Sequence, residues 1–147
     1  NLGNLYADAG RLDQAMATVR RAIALDPTYA LAHNSLGNIH LMQQRPDSAR
    51  AAYEKAIATD PEFVSAYCNL ANALAAEGAY DAALAALDEA LSRDAGHVPA
   101  YNQQGNLHML QGQYDRAVRA FARAVELAPG DPRLQRNLQV AQEKAGL

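Results

Sequence analysis

The chain has 147 residues, half of them apolar, with 13 basic against 16 acidic side chains and a net charge of −3 at neutral pH. That balance excludes the basic footprint by which proteins commonly hold a nucleic-acid backbone. No apolar run approaches the roughly eighteen residues of a membrane-spanning helix, and the single cysteine, Cys68, can form neither an internal disulfide nor a thiolate metal cluster.

Apolar residues at helical spacing, with breakers between them, predict helices in chain order near 1–9, 11–25, 30–43, 46–59, 64–77, 80–93, 98–111, 114–127 and 132–145. The first begins at Asn1 inside its own pattern. Its Leu2, Leu5 and Tyr6 carry interior-type residues, so further helices or repeats are expected upstream in the parent protein. Gly10, Gly78 and Gly112 stand where a helix should end on a left-handed residue. Pro46 suits a first helical turn, and Asp131-Pro132 supplies a cap followed by a first-turn proline. The last helix places Gln135, Gln139 and Gln142 where earlier helices hold aromatic, small or aliphatic residues, as a solvent-facing cap requires.

These helices repeat. Leu2-Gly3, Leu36-Gly37, Leu70-Ala71, Gln104-Gly105 and Leu138-Gln139 recur every 34 residues without an insertion. The same period carries Ala15, Ala49, Ala83 and Ala117, then Val19, Tyr53, Leu87 and Phe121, then Ala22, Ala56, Ala90 and Ala124. Pro27, Pro61 and Pro129 close the unit, with Ala95 the exception. Small residues on such a face let two helix backbones approach closely while the large residue fills the space beside them, so each unit reads as a helical hairpin. One hairpin cannot bury its apolar face alone; stability comes from stacking on its neighbours.

This pattern resembles the tetratricopeptide repeat, W-x₂-L-G-x₂-Y followed by A-x₃-F and P. It departs mildly, with His33, Tyr67 and Tyr101 at the tryptophan place and Tyr6, His40, Leu74 and His108 at the tyrosine place. The resemblance implies an all-α, right-handed superhelical solenoid of helix-turn-helix repeats. The expected boundaries are a truncated repeat over 1–29, repeats over 30–63, 64–97 and 98–131, and a capping helix over 132–147. It also implies a protein-binding scaffold with no active site and no cofactor.

In such an array the first helix of each hairpin lines a concave groove, and here that face is rich in asparagine. The candidate peptide-binding residues are Asn4, Asn34, Asn38, Asn69, Asn72, Asn102, Asn106 and Asn137; Asn1 continues the row, and Ser35 and Gln103 interrupt it. An amide offers both an acceptor and a donor, the pair that clamps a peptide unit by its own N–H and C=O. With helices ~8–10 Å apart and an extended chain advancing ~3.3–3.6 Å per residue, each repeat would cover roughly three ligand residues. The arrangement is similar to the asparagine ladder in the tetratricopeptide region of O-linked N-acetylglucosamine transferases, whose repeats the run Ala66-Tyr67-Cys68-Asn69-Leu70-Ala71-Asn72-Ala73-Leu74 resembles. The same asparagines could instead bond to neighbouring helices or water.

Arg133 and Arg136, with Asn137 and Asn72, resemble part of the family's carboxylate clamp for acidic tails. The match departs at Cys68 in a lysine place, Gln103 in an asparagine place and Asn137 in the final basic place. His33, His40 and His108 fall on packing positions and His97 in a loop, which favours packing over metal or acid–base chemistry. Arg116, Arg119 and Arg123 read as a solvated outer face paired with Asp115 and Glu126. Leu41, Met42, Met109 and Leu110 are candidates for ligand anchors or for helix packing. The functional expectation is a groove that holds a peptide or partner segment. The alternatives are an assembly element of a larger complex, or the targeting arm of a glycosyltransferase whose catalytic domain lies elsewhere.

Overall fold

A computed structural model describes residues 11–147; the expected helix near 1–9, with the candidate Asn4 and the stop at Gly10, lies outside the described residues. Among the described residues there are eight helices and no strands: α1 (Leu12–Leu25), α2 (Ala30–Met42), α3 (Pro46–Thr59), α4 (Val64–Ala76), α5 (Tyr80–Arg93), α6 (Val98–Leu110), α7 (Tyr114–Leu127) and α8 (Pro132–Ala145). Each lies within a residue of its sequence-derived bounds.

The helix ends follow from local chemistry. Pro46 and Pro132 occupy first turns, where a missing N–H leaves nothing unbonded, and the Asp131 carboxylate accepts the Arg133 backbone N–H at 2.9 Å as an N-cap. Gly78 (φ 79°) and Gly112 (φ 70°) end α4 and α6 in the left-handed region. One repeat earlier, the same place is held by Gln44 at φ 58°, with a Cβ that opposes this conformation. The 34-residue frame imposes a left-handed stop there even without glycine.

Loops between hairpins are closed by two recurring devices. Asp26, Asp60 and Asp94 each use Oδ1 to accept a backbone N–H two residues on, from Thr28 (2.9 Å), Glu62 (3.1 Å) and Gly96 (2.9 Å). The second device uses the tryptophan place of the repeat. His33 Nε2, Tyr67 Oη, Tyr101 Oη and Gln135 Nε2 each donate to the carbonyl six residues earlier, on Pro27 (2.9 Å), Pro61 (3.1 Å), Ala95 (3.3 Å) and Pro129 (2.7 Å). Because a carbonyl only accepts, the bond assigns the His33 proton to Nε2. Three unrelated side-chain types thus tie the preceding loop down onto the first turn of a hairpin.

The chain forms two compact units, Asn1–Ala83 and Leu84–Leu147, with the boundary inside α5. In the first, α2 packs on α3 and also touches α1 and α4, and α3 packs on α4. Ala15, Val19, Ala32 and Ile39 form one buried cluster with Leu12, Met16, Ile23 and Leu36 against it; Ala49, Tyr53 and Ala73 form another with Leu41 and Leu70. In the second unit α7 packs between α6 and α8, around Ala117, Phe121 and Ala141 with Met109, Val118 and Leu138. Each large side chain buried in these seams is worth about 1.5–3 kcal/mol.

The seams need their small residues for steric reasons. A Cβ built on Gly37 would stand 2.6 Å from Tyr53 Cδ1, and one on Gly105 2.6 Å from Phe121 Cδ1, closer than real Cβ atoms approach. The ring on the second helix of the hairpin therefore fills the space a side chain on the first would need.

Candidate peptide-binding faces

The asparagines of the first helices divide into three groups by what they touch. Asn34 on α2 is buried, and its Oδ1 accepts a hydrogen bond from Asn69 Nδ2 on α4 at 2.9 Å. In the second unit the same bond recurs, from Asn137 Nδ2 on α8 to Asn102 Oδ1 on α6, again at 2.9 Å. The spacing of 35 residues is one repeat plus one, so each pair bridges successive first helices. These amides join the helices, while each keeps further donor and acceptor capacity.

Asn38 is engaged differently. Its Oδ1 accepts the hydroxyl of Tyr53 at 2.7 Å, within one hairpin. Burial pushes the Tyr53 phenol above its ordinary range, so it remains a donor. The register positions of Tyr53 in the next two repeats hold Leu87 and Phe121, which have no hydroxyl. Asn72 and Asn106 are exposed, and neither makes a side-chain hydrogen bond within the described residues. Sequence reading placed all these asparagines on one footing. The signal that separates them, a hydroxyl present at 53 and absent at 87 and 121, was in the sequence but becomes meaningful only once the 53-to-38 contact is known.

The apolar candidates divide as well. Leu41 and Met109 pack against core clusters, whereas Met42 is 48% and Leu110 67% exposed at the ends of α2 and α6.

Two family models, both described as tetratricopeptide repeat, match the chain, one over residues 1–62 and 36–98 and the other over 74–142. The chain belongs to the tetratricopeptide repeat family. Members of this family are generally protein-interaction scaffolds, and the fold is typically non-catalytic. No curated protein matches the sequence. Among solved structures, this tetratricopeptide chain is similar to MamA at 24% identity, TM-score 0.85, covering 100% of this chain and 86% of that one. It is similar to YrrB, described as a TPR protein with an unusual peptide-binding site, at 25% identity, TM-score 0.73, covering 98% and 74%. A third similar structure is the first TPR of Spaghetti (RPAP3) bound to the HSP90 peptide SRMEEVD, at 21% identity and TM-score 0.75, covering 80% and 94%.

Within the second unit, Asn102 and Asn137 line a cleft of about 560 Å³ together with Pro99, Asp131, Arg133, Leu134 and Arg136. The clamp-like residues Arg133, Arg136 and Asn137 thus meet at one cleft of this repeat protein. Arg133 is committed to Asp131 through an ion pair at 2.9 Å, which holds the Asp131 carboxyl below the usual range, and Arg136 forms no ion pair among the described residues. At the lysine place, Cys68 is buried, and burial pushes its thiol up to about 11. It presents neither a positive charge nor a thiolate at neutral pH.

The histidines are used in packing. His33 is buried in its loop latch, and burial holds His40 and His108 below the usual histidine range, against the opposing pull of Gln43 and Gln113 respectively. His97 stands at the N-cap of α6 with Nδ1 3.2 Å from Asp94. No group of metal-ligating side chains exists among the described residues. The outer arginines are a correction to the sequence reading. Arg123 pairs with Glu126 at 2.7 Å as expected, but Asp115 makes no ion pair with Arg119. The i, i+4 spacing made that pair possible without requiring it.

Proposed function

We propose that the chain is a protein-interaction module that takes extended peptide segments on the first-helix faces of its repeats, with Asn72 in the first unit and Asn106 in the second each serving as an amide that engages a peptide backbone on its own face. The observation that carries this reading is that these two asparagines are exposed and unengaged at the register where Asn38 is held by Tyr53. Asn34, Asn69, Asn102 and Asn137 set the spacing of the faces, and Asn4 extends the row in the same register. Met42 and Leu110 offer apolar contacts beside it. Peptide binding by proteins similar in structure supports the reading. The targeting arm of a glycosyltransferase is a narrower case of the same proposal and uses the same residues.

A displayed library of random twelve-residue peptides, panned on the immobilised full chain, tests this directly. Enriched peptides titrated calorimetrically should lose about fivefold or more in affinity with Asn72→Ala plus Asn106→Ala, as expected when the amide bond of ~1 kcal/mol on whichever face holds the peptide is removed. Helical circular dichroism should not change. Absence of enrichment, or equal affinity for the variant, would falsify the assignment.

A further inference from the structure

Repeat proteins carry their own internal comparison, because every position can be read against its counterparts 34 residues away. At three places the 98–131 repeat breaks the pattern. Gln104 stands where the other repeats have Leu36, Leu70 and Leu138; Arg119 stands where they have Ala17, Ala51 and Ala85; Arg116 replaces Gln14, Ser48 and Ala82. The three converge in space. They line one cleft of about 450 Å³, together with Leu84 and Asp88 of α5, Tyr101 and His108 of α6, and Ala120 of α7. A leucine that seals the equivalent seam elsewhere, as Leu36 does against the first cluster, is here a polar side chain in an open cleft.

The charge in the cleft is only partly answered from within. Asp88 is engaged by Gln104 Nε2, which donates to its Oδ1 at 2.6 Å. Among the described residues Arg116 reaches the neutral amide of Gln113, at 3.3 Å, and neither Arg116 nor Arg119 forms an ion pair. On their other side the two arginines border a second cleft with Asp115 and Lys144, which adds one charge of each sign. Two exposed guanidiniums one helical turn apart, without carboxylate partners, present forked donors matched to an oxyanion. On α6 the cleft residues 101, 104 and 108 form one face, and Asn102 and Asn106 the opposite one, so this is a separate surface from the proposed peptide face.

We propose that this cleft is a binding site for a small oxyanion, carboxylate or phosphate, held by Arg116 and Arg119 with Gln104 and Tyr101 as polar walls. The inference does not depend on the proposed peptide function, and its test reads different residues.

The test uses the full chain labelled with ¹⁵N, titrated with inorganic phosphate and separately with succinate at ionic strength held constant with sodium chloride. The expected result is saturable shifts at the Gln104 side-chain amide and at the backbone amides of His108, Arg116 and Arg119, with one probe binding more tightly and thereby assigning the oxyanion class. Arg116→Ser with Arg119→Ala, which installs the residues of an earlier repeat and so suits the fold, should weaken that probe at least about tenfold, the scale of losing two charge-assisted bonds. Gln104→Leu restores the repeat residue and should also weaken binding while raising thermal stability. Shifts that fail to saturate, that are reproduced by chloride alone, or that persist unchanged in the double variant overturn the proposal.

Discussion

Tyr53 occupies the space that a side chain on Gly37 would need, with its Cδ1 2.6 Å from where that Cβ would stand, and its hydroxyl meets Asn38 one residue further on. One ring therefore sets both the closeness of α2 to α3 and the availability of an amide on the candidate binding face. Gly37→Ala forces that ring to move in a packed seam and is expected to cost about 1–3 kcal/mol in urea denaturation. Adding Tyr53→Leu, to give the combination found at 71 and 87, should recover part of the loss, and a double-mutant cycle measures the coupling. Purely additive effects would show that the two residues do not compete for space.

Gln44→Gly should stabilise the protein. Gln44 sits at φ 58° where the later repeats have Gly78 and Gly112, so glycine removes a Cβ conflict at the cost of a looser unfolded chain. A net gain of about 0.5–1 kcal/mol is expected, seen as a higher urea midpoint with unchanged slope. A loss would mean that the Gln44 side chain contributes more than its backbone costs.

The two classes of asparagine should differ in stability measurements as they do in contacts. Asn34→Ala strips the acceptor from Asn69 at a buried site and should cost about 1–2 kcal/mol. Asn72→Ala, at an exposed position with no side-chain partner among the described residues, should stay within about 0.5 kcal/mol. Equal effects would remove the distinction between joining and binding amides.

Stability should fall on mild acidification. Burial lowers both His40 and His108 in the folded chain, aided by Arg45 and Arg20 for the first and Arg116 and Arg119 for the second. Between the ordinary histidine value near 6.5 and the depressed folded values, the unfolded chain binds more protons, so their contribution is present above that window and is lost as pH falls through it. Urea midpoints at pH 7.5 and 5.5 should show the drop, and His40→Leu, which borrows the residue at 74, should reduce it. A flat profile would count against neutral, half-buried rings at 40 and 108.

Apolar spacing, first-turn prolines and left-handed stops were enough to place the described helices to within a residue and to set the 34-residue period, because these are local rules. They also located the asparagine face, since side chains at 34, 38 and 69, 72 follow from helical geometry alone. Which of those amides are engaged came from packing alone, because Asn34 to Asn69 and Tyr53 to Asn38 are contacts between helices whose distance and rotamers no spacing rule fixes. The same holds for Asp115 and Arg119, correctly spaced yet unpaired, and for Gln104, whose departure from leucine is visible in the letters while the cleft it shares with two arginines exists only where α5, α6 and α7 meet. Period and pattern are properties of a chain read one turn at a time; engagement and vacancy are properties of surfaces that packing brings together.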